Sequence, residues 1–434
     1  MAPRSAFAQI APAGRRPRCC APAAAVVVAL VAVLAMLLPA TGAAAHAAVQ
    51  RAHAAVLQPC AEPYSAVRDP ANPLELPGAP GANPLSGARL FVDGPAHGEA
   101  AGAIVRLLGL DPHSFPDSES WGAFQRSVNH GALHSRLAGN PVLGHRIDEL
   151  EKIAAQPEVQ RFSVYSGGGG PGAIFGQAEK IFCQNMTADP GSIPIINTYF
   201  LHPATAPCPN ASELQAIGPT FRRQVDETAA ATGWRPAVYL LELDAVGSSQ
   251  CIAHDGALGV WEADLRYEVD QLAALPHTVL YMEAGYSDGN SARYTAQVLN
   301  AVGVRRIRGF YTNDTHLNWT IREVHWAQRI SALTGGAHFI VNTAQNGQGP
   351  KLNAHPASEG MEDLCNPPGR ALGPKPTTNT GFPYADAWIW THVPGNSSGC
   401  GAGPPASVFW ISRAITLAAR ANGRLGPGYR SRPY

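Results

Sequence analysis

What most limits this chain is the recurrence of short apolar or β-branched runs, each closing on polar residues, with helical patterns in most of the gaps. The runs are ARLFVD (88–93), RFSVYSG (161–167), IPIINTYFL (193–201), PAVYLLELDA (236–245), HTVLYMEAG (277–285), RIRGFYTN (306–313), AHFIVNTA (337–344) and ADAWIWTHV (385–393). Segments 212–233, 262–275, 291–303 and 320–335 carry apolar residues at i, i+3 and i+4, and several stop at glycine. Strand, helix, strand at roughly 30–45 residue spacing is the pattern of βαβ units in a parallel sheet. Seven or eight such units favour an α/β barrel over an open sheet. In a barrel the site lies at the C-terminal ends of the strands. That rule singles out Glu242, Asp244, Glu283, Asn313, Asp314, Asn342 and His392 among the polar residues.

The ends of the chain read differently. Arg4, Arg15, Arg16 and Arg18 precede an uncharged apolar stretch at 21–40, and small residues follow it. This order predicts a secretory signal over 1–48, cut near Ala45 or Ala48. A retained anchor is the competing reading, since 20 apolar residues can span a bilayer. Residues 49–80 form an extended Pro/Ala-rich segment, and 81–434 form the folded domain. Charged residues make up 15% of the chain and the formal net charge is zero, which gives no footprint for nucleic acid. High alanine and a preference for arginine over lysine point to a GC-rich bacterial genome.

Six cysteines remain after the signal: Cys60, Cys183, Cys208, Cys251, Cys365 and Cys400. An even number in an exported chain argues for disulfides. Proximity suggests Cys208–Cys251 and Cys365–Cys400, leaving Cys60–Cys183. No close Cys/His spacing suggests zinc, and neither metal nor organic cofactor is expected.

Read in order, the strand-end motifs resemble glycoside hydrolase family 6, the cellulases that include endoglucanases and cellobiohydrolases. NTAQNGQGP (342–350), LCNPPGRALG (364–373) and TTNTGFPYADAWIWTHVPGNSSGCG (377–401) follow the family in order and spacing. NPLSGARLFVD (83–93) resembles its first strand, ELDAV (242–246) its Glu-Pro-Asp motif, EAGYS (283–287) its Asp-Ala-Gly-His-Ser, and YTN (311–313) its Ala-Thr-Asn strand end. The resemblance implies a distorted (β/α) barrel of about seven parallel strands. It also implies endo- or exo-hydrolysis of a β-1,4-glucan with inversion. The two short-range cysteine pairs look like the family's two bridges. The expected partner is a polysaccharide, and the expected state a secreted monomer.

Inversion needs an acid for the leaving oxygen and a carboxylate on the opposite face, with a water between them. Asp244 matches the family's acid. Glu242, two residues earlier, is expected on the same side of the strand as a supporting carboxylate. The other family carboxylate positions hold Pro207, Ser398 and Asn342. The family's arginine is Gln345 and its lysine is His392. Serine cannot take a proton at neutral pH as a carboxylate does. Substitutes come from Glu242, Glu283, Asp288, Asp314, His316, Glu362 and Asp363. Candidates for holding sugar are Tyr199, Asn313, Trp319, Trp390, His392 and Asn396, with Trp388 or Trp390 equally able to be core. The alternative function is a polysaccharide-binding protein that no longer hydrolyses.

Overall fold

The computed structural model describes residues 83–114, 137, 139–163, 169–189, 191–202, 208–352, 363–421 and 423–426. The signal-like stretch, the 49–80 segment, Cys60, Pro207 and Glu362 lie outside these residues. Among the described residues, seven strands form one parallel sheet in sequence order: β1 Val159–Ser163, β2 Ile195–Tyr199, β3 Ala237–Leu241, β4 Thr278–Glu283, β5 Gly309–Thr312, β6 His338–Asn342 and β7 Ala385–Ile389. No ladder joins β7 to β1 among the described residues, so a seam separates them.

Alternate residues of the strands share one buried cluster. It takes Val159 from β1, Ile195 from β2, Val238 and Leu240 from β3, Val279 and Tyr281 from β4, Tyr311 from β5, Ile340 from β6, and Ala387 and Ile389 from β7. Side chains from both edge strands meet in that cluster because the sheet curls into a half-barrel. The period-2 alternation of the strands therefore sorts the inner face from the face beneath the helices. Truncating an inner leucine such as Leu240, which is completely buried, costs about 2–5 kcal/mol.

The helices are α1 Glu99–Leu107, α2 Pro141–Ala154, α3 Ala173–Ala188, α4 Ala211–Thr232, α5 Ser249–His254, α6 Leu258–Leu272, α7 Ala292–Val302, α8 Thr320–Leu333 and α9 Ile411–Ala419. The four patterned segments are α4, α6, α7 and α8. Their ends follow from local chemistry. Asn210 caps α4 in a capping box with Glu213, Ser291 caps α7, and Gly303 ends α7 with φ +95°. Helices α1, α2 and α9 bury a separate apolar cluster with Ala344, Leu372 and Trp390.

The run 88–93 is not a full strand. It makes a single parallel bridge, Leu90 to Ile193, because β1 already occupies that edge of β2 from Ile195 onward. The disulfides Cys208–Cys251 and Cys365–Cys400 are present, with Cα atoms 5.7 and 5.6 Å apart. Cys183 is also disulfide-bonded, and the partner expected for it, Cys60, lies outside the described residues. No helix among the described residues is long and apolar enough to cross a membrane.

Candidate active site

β3 ends at Leu241, and the next residues leave extended geometry: Glu242 has φ +45° and Asp244 φ +58°. Asn313, just past β5, has φ +66°. A non-glycine residue held there costs on the order of 1–3 kcal/mol, and such strain gathers at functional sites. The turn is held by Glu283 at the end of β4. Its carboxylate accepts from the amides of Val246 and Gly247, both at 3.0 Å, and from Gly285. The Asp244 carboxylate accepts from the Thr315 hydroxyl at 3.1 Å. Burial raises the pKa of Asp244, while Thr315, His316 and Arg161 pull against that rise.

The left-handed turn ends strand alternation, so Glu242 does not support Asp244 as expected. Its oxygens accept from the Phe200 amide at 2.8 and 3.0 Å and the Leu201 amide at 3.0 Å. Glu242 is a clamp on the end of β2. Burial pushes its pKa up to about 7, against the pull of those amides.

The substitutes separate by what already holds them. Glu283 is occupied by three amides. Asp288 is paired with His316 at 3.2 Å and bonded to Asn318. Burial would raise Asp288, but those partners outweigh it and lower its pKa. Asp363 pairs with Lys351 at 3.1 Å. Asp314 is different. Thr391 donates to Oδ1, whereas Oδ2 is buried without a hydrogen-bond partner, and Arg161 stands 4.0 Å away. Burial, helped by Asp244 and opposed by Arg161 and Thr391, raises Asp314 to about 6. His316 is stacked on Tyr286 with ring centroids 3.3 Å apart.

The Asn342 side chain is committed to backbone. Its amide nitrogen donates to the carbonyls of Asn313 at 2.9 Å and Asp314 at 3.1 Å. Its oxygen accepts from the amides of Ala344 at 3.0 Å and Thr391 at 3.2 Å. A carboxylate could not donate to those carbonyls. His392 and Gln345, two departures read separately in the sequence, touch each other: Gln345 Nε2 lies 2.7 Å from His392 Nε2, and Arg413 donates to Gln345 Oε1 at 2.8 Å. Burial, Arg161 and Arg413 lower His392 to about 3, so it stays neutral. Ser398 is exposed, with its backbone amide on Asn366.

The sugar-binding candidates fare unequally. Tyr199, half-buried at the end of β2, stacks on His202 with centroids 5.2 Å apart. Trp319 is half-buried before α8 and lies on Gly349, where any Cβ would collide with the indole. Trp390 is core: it is 2% exposed, and its indole donates to the Pro374 carbonyl at 3.2 Å. Trp388 is buried as well. The Asn313 amide is spent on backbone, donating to the carbonyls of Asn318 and Asn342 and accepting from the Asn318 amide. A left-handed strand end needs that pinning, which removes Asn313 as a sugar ligand. The Asn396 side chain bonds Glu99.

Sequence reasoning missed Arg161, Thr315 and Thr391. Arg161 lies on the inner face of β1, two residues from Val159, and donates to Asn197 at 2.8 Å. A guanidinium at an inward position of a strand was the available signal.

The family model described as "Glycosyl hydrolases family 6" matches residues 220–409. "Endoglucanase 1" of Streptomyces sp. (strain KSM-9) is 29% identical over 303 residues, covering 66% of this chain and 76% of that protein. "Endoglucanase A" of Cellulomonas fimi is 30% identical over 274 residues, but the chain spans only 56% of its length. Among solved structures, the endoglucanase Cel6 from Mycobacterium tuberculosis, bound to a thio-linked methyl cello-oligosaccharide, is 29% identical. It has a TM-score of 0.60 and covers 78% of this chain and 99% of that one. Endoglucanase CEL6B from Humicola insolens, at 17% identity and TM-score 0.57, shares the fold.

Proposed function

The chain belongs to glycosyl hydrolases family 6, and on that premise we propose that it hydrolyses a β-1,4-glucan by single-displacement inversion, with Asp244 as general acid. The observation that carries this reading is the placing of Asp244 at the C-terminal end of β3. It sits in a left-handed turn clamped by Glu283 and in surroundings that raise its pKa by burial. A protonated Asp244 gives its proton to the glycosidic oxygen as the bond to the anomeric carbon breaks. Water adds from the opposite face. The substrate follows from the relatives that bear the name endoglucanase. Tyr199 and Trp319 supply aromatic faces for pyranose rings. Export to an oxidising compartment fits the two disulfides.

The test is release of reducing ends from soluble β-1,4-glucan. Asp244→Asn should lower kcat by about 100-fold or more with the fold intact by circular dichroism. Turnover near the wild-type rate in that variant would remove Asp244 as the acid. NMR of fresh product reads the anomer, and a retained product rules out inversion. The second reading, a binder without hydrolysis, is favoured by the state of Ser398 and Asn342: one is exposed and the other is fully committed to backbone. It predicts glucan binding with no release from any β-glucan.

A further inference from the structure

We propose that Asp314 is the general base of this site, the carboxylate that takes the proton of the attacking water. The inference rests on the reading of Asp244 as the acid. It starts from an unmet demand: Oδ2 of Asp314 is buried and accepts no hydrogen bond, while Oδ1 is held by Thr391. Arg161 stands 4.0 Å from Oδ2, too far to donate to it, so that oxygen keeps a lone pair for an incoming proton.

Position is the second argument. Asp244 follows β3 and Asp314 follows β5, with β4 between them. Two inter-strand spacings are roughly 9–10 Å, and Thr315, the residue after Asp314, donates to the Asp244 carboxylate at 3.1 Å. Two spacings lie at the upper edge of the separation of about 6.5–9.5 Å that leaves room for a water between acid and base. Glu283, on the intervening strand, is one spacing nearer but is filled by three amides.

Electrostatics agree. The titratable and charged groups acting around Asp314 are Arg161 from β1, Asp244 from the β3 turn, Glu283 from β4 and Tyr311 from β5. Arg161 and Thr391 favour the charged form that a base needs, and Asp244 opposes it only while itself charged. With the proton on Asp244, Asp314 is free to ionise.

In the step, water oxygen bonds to the anomeric carbon as the glycosidic C–O bond breaks. The water proton passes to Asp314, and the Asp244 proton passes to the leaving oxygen. The net change is addition of one water, and Asp314 then returns a proton to Asp244 through solvent.

The experiment uses the full chain and two substrates, cellohexaose and 2,4-dinitrophenyl β-cellobioside, whose leaving group needs no acid. Asp244→Asn should slow only the first. Asp314→Ala and Asp314→Asn should slow both at least about 100-fold. Azide, an anion with no proton to lose, should restore turnover of the aryl substrate in Asp314→Ala and give the α-cellobiosyl azide. Activity of both Asp314 variants within tenfold of wild type overturns the proposal. So does a loss that azide does not restore, which marks a structural role. If wild type is active and sensitive to Asp244→Asn while Asp314→Ala stays active, the base assignment alone falls. If wild type cleaves neither substrate, both readings fall.

Discussion

Asp386, near the start of β7, and Asp314, just past the end of β5, are each 2% exposed, yet their surroundings push them in opposite directions. Asp386 accepts from Arg308 through two nitrogens at 2.7 and 2.9 Å, from Tyr281 at 2.8 Å and from His338 at 2.9 Å. Burial alone would raise its pKa, but these partners outweigh it and lower it. Asp314 has one hydroxyl and one distant guanidinium, and it rises to about 6. The two ends of one sheet thus use the same residue type differently. At the N-terminal end the charge is fully answered and ties β4, the lead into β5, β6 and β7 together. At the C-terminal end it is left partly unanswered, which costs stability and leaves chemistry possible.

The largest test of this contrast is Asp386→Ala. It strands the half-buried Arg308 and should cost about 3–5 kcal/mol in denaturant unfolding, with kcat per folded molecule nearly unchanged. A loss under 1 kcal/mol, on the order of a surface pair, would erase the contrast.

Asp314→Asn should do the reverse. A folded pKa above the unfolded value means that the folded chain holds the proton more tightly. Stability from this group is then full below an unfolded pKa of about 3.9 and lost as pH rises toward about 6. Removing the charge should therefore stabilise at pH 7 by about 1–3 kcal/mol and leave stability below pH 4 unaltered. The Asp386 contribution has the opposite sign: it is present above about 3.9 and disappears as pH falls through the lowered folded value. Matched unfolding curves across pH would read both. The smallest expected effect is that of Thr391→Val. It removes the hydroxyl on Asp314, should cost about 1 kcal/mol, and should move the acid limb of the pH–rate profile upward.

Much of this was legible in the chain. Parallel strands and four helices followed from periodicity, and two bridges from the proximity of their cysteines in the chain; the strand pattern also set Asp244 at the end of β3. Side-chain roles were harder where backbone geometry changed. Alternation placed Glu242 beside Asp244, but β3 stops at Leu241 and the left-handed turn sends Glu242 to the β2 amides. Asn342 read as a lost acid, yet its donors meet two carbonyls. Gln345 and His392 read as two losses and are one contact, 47 residues apart in sequence. Trp390 shared a strand face with Trp388, and periodicity could not say that helices α1, α2 and α9 cover that region.

The outer edge of β7 has a consequence beyond catalysis. Thr377 and Trp388 exchange both backbone hydrogen bonds in an antiparallel bridge, at 3.0 and 2.9 Å. An uncovered edge strand is a template on which a second chain can zip. With Trp388 already paired, the outer edge of β7 offers another copy only an interrupted template.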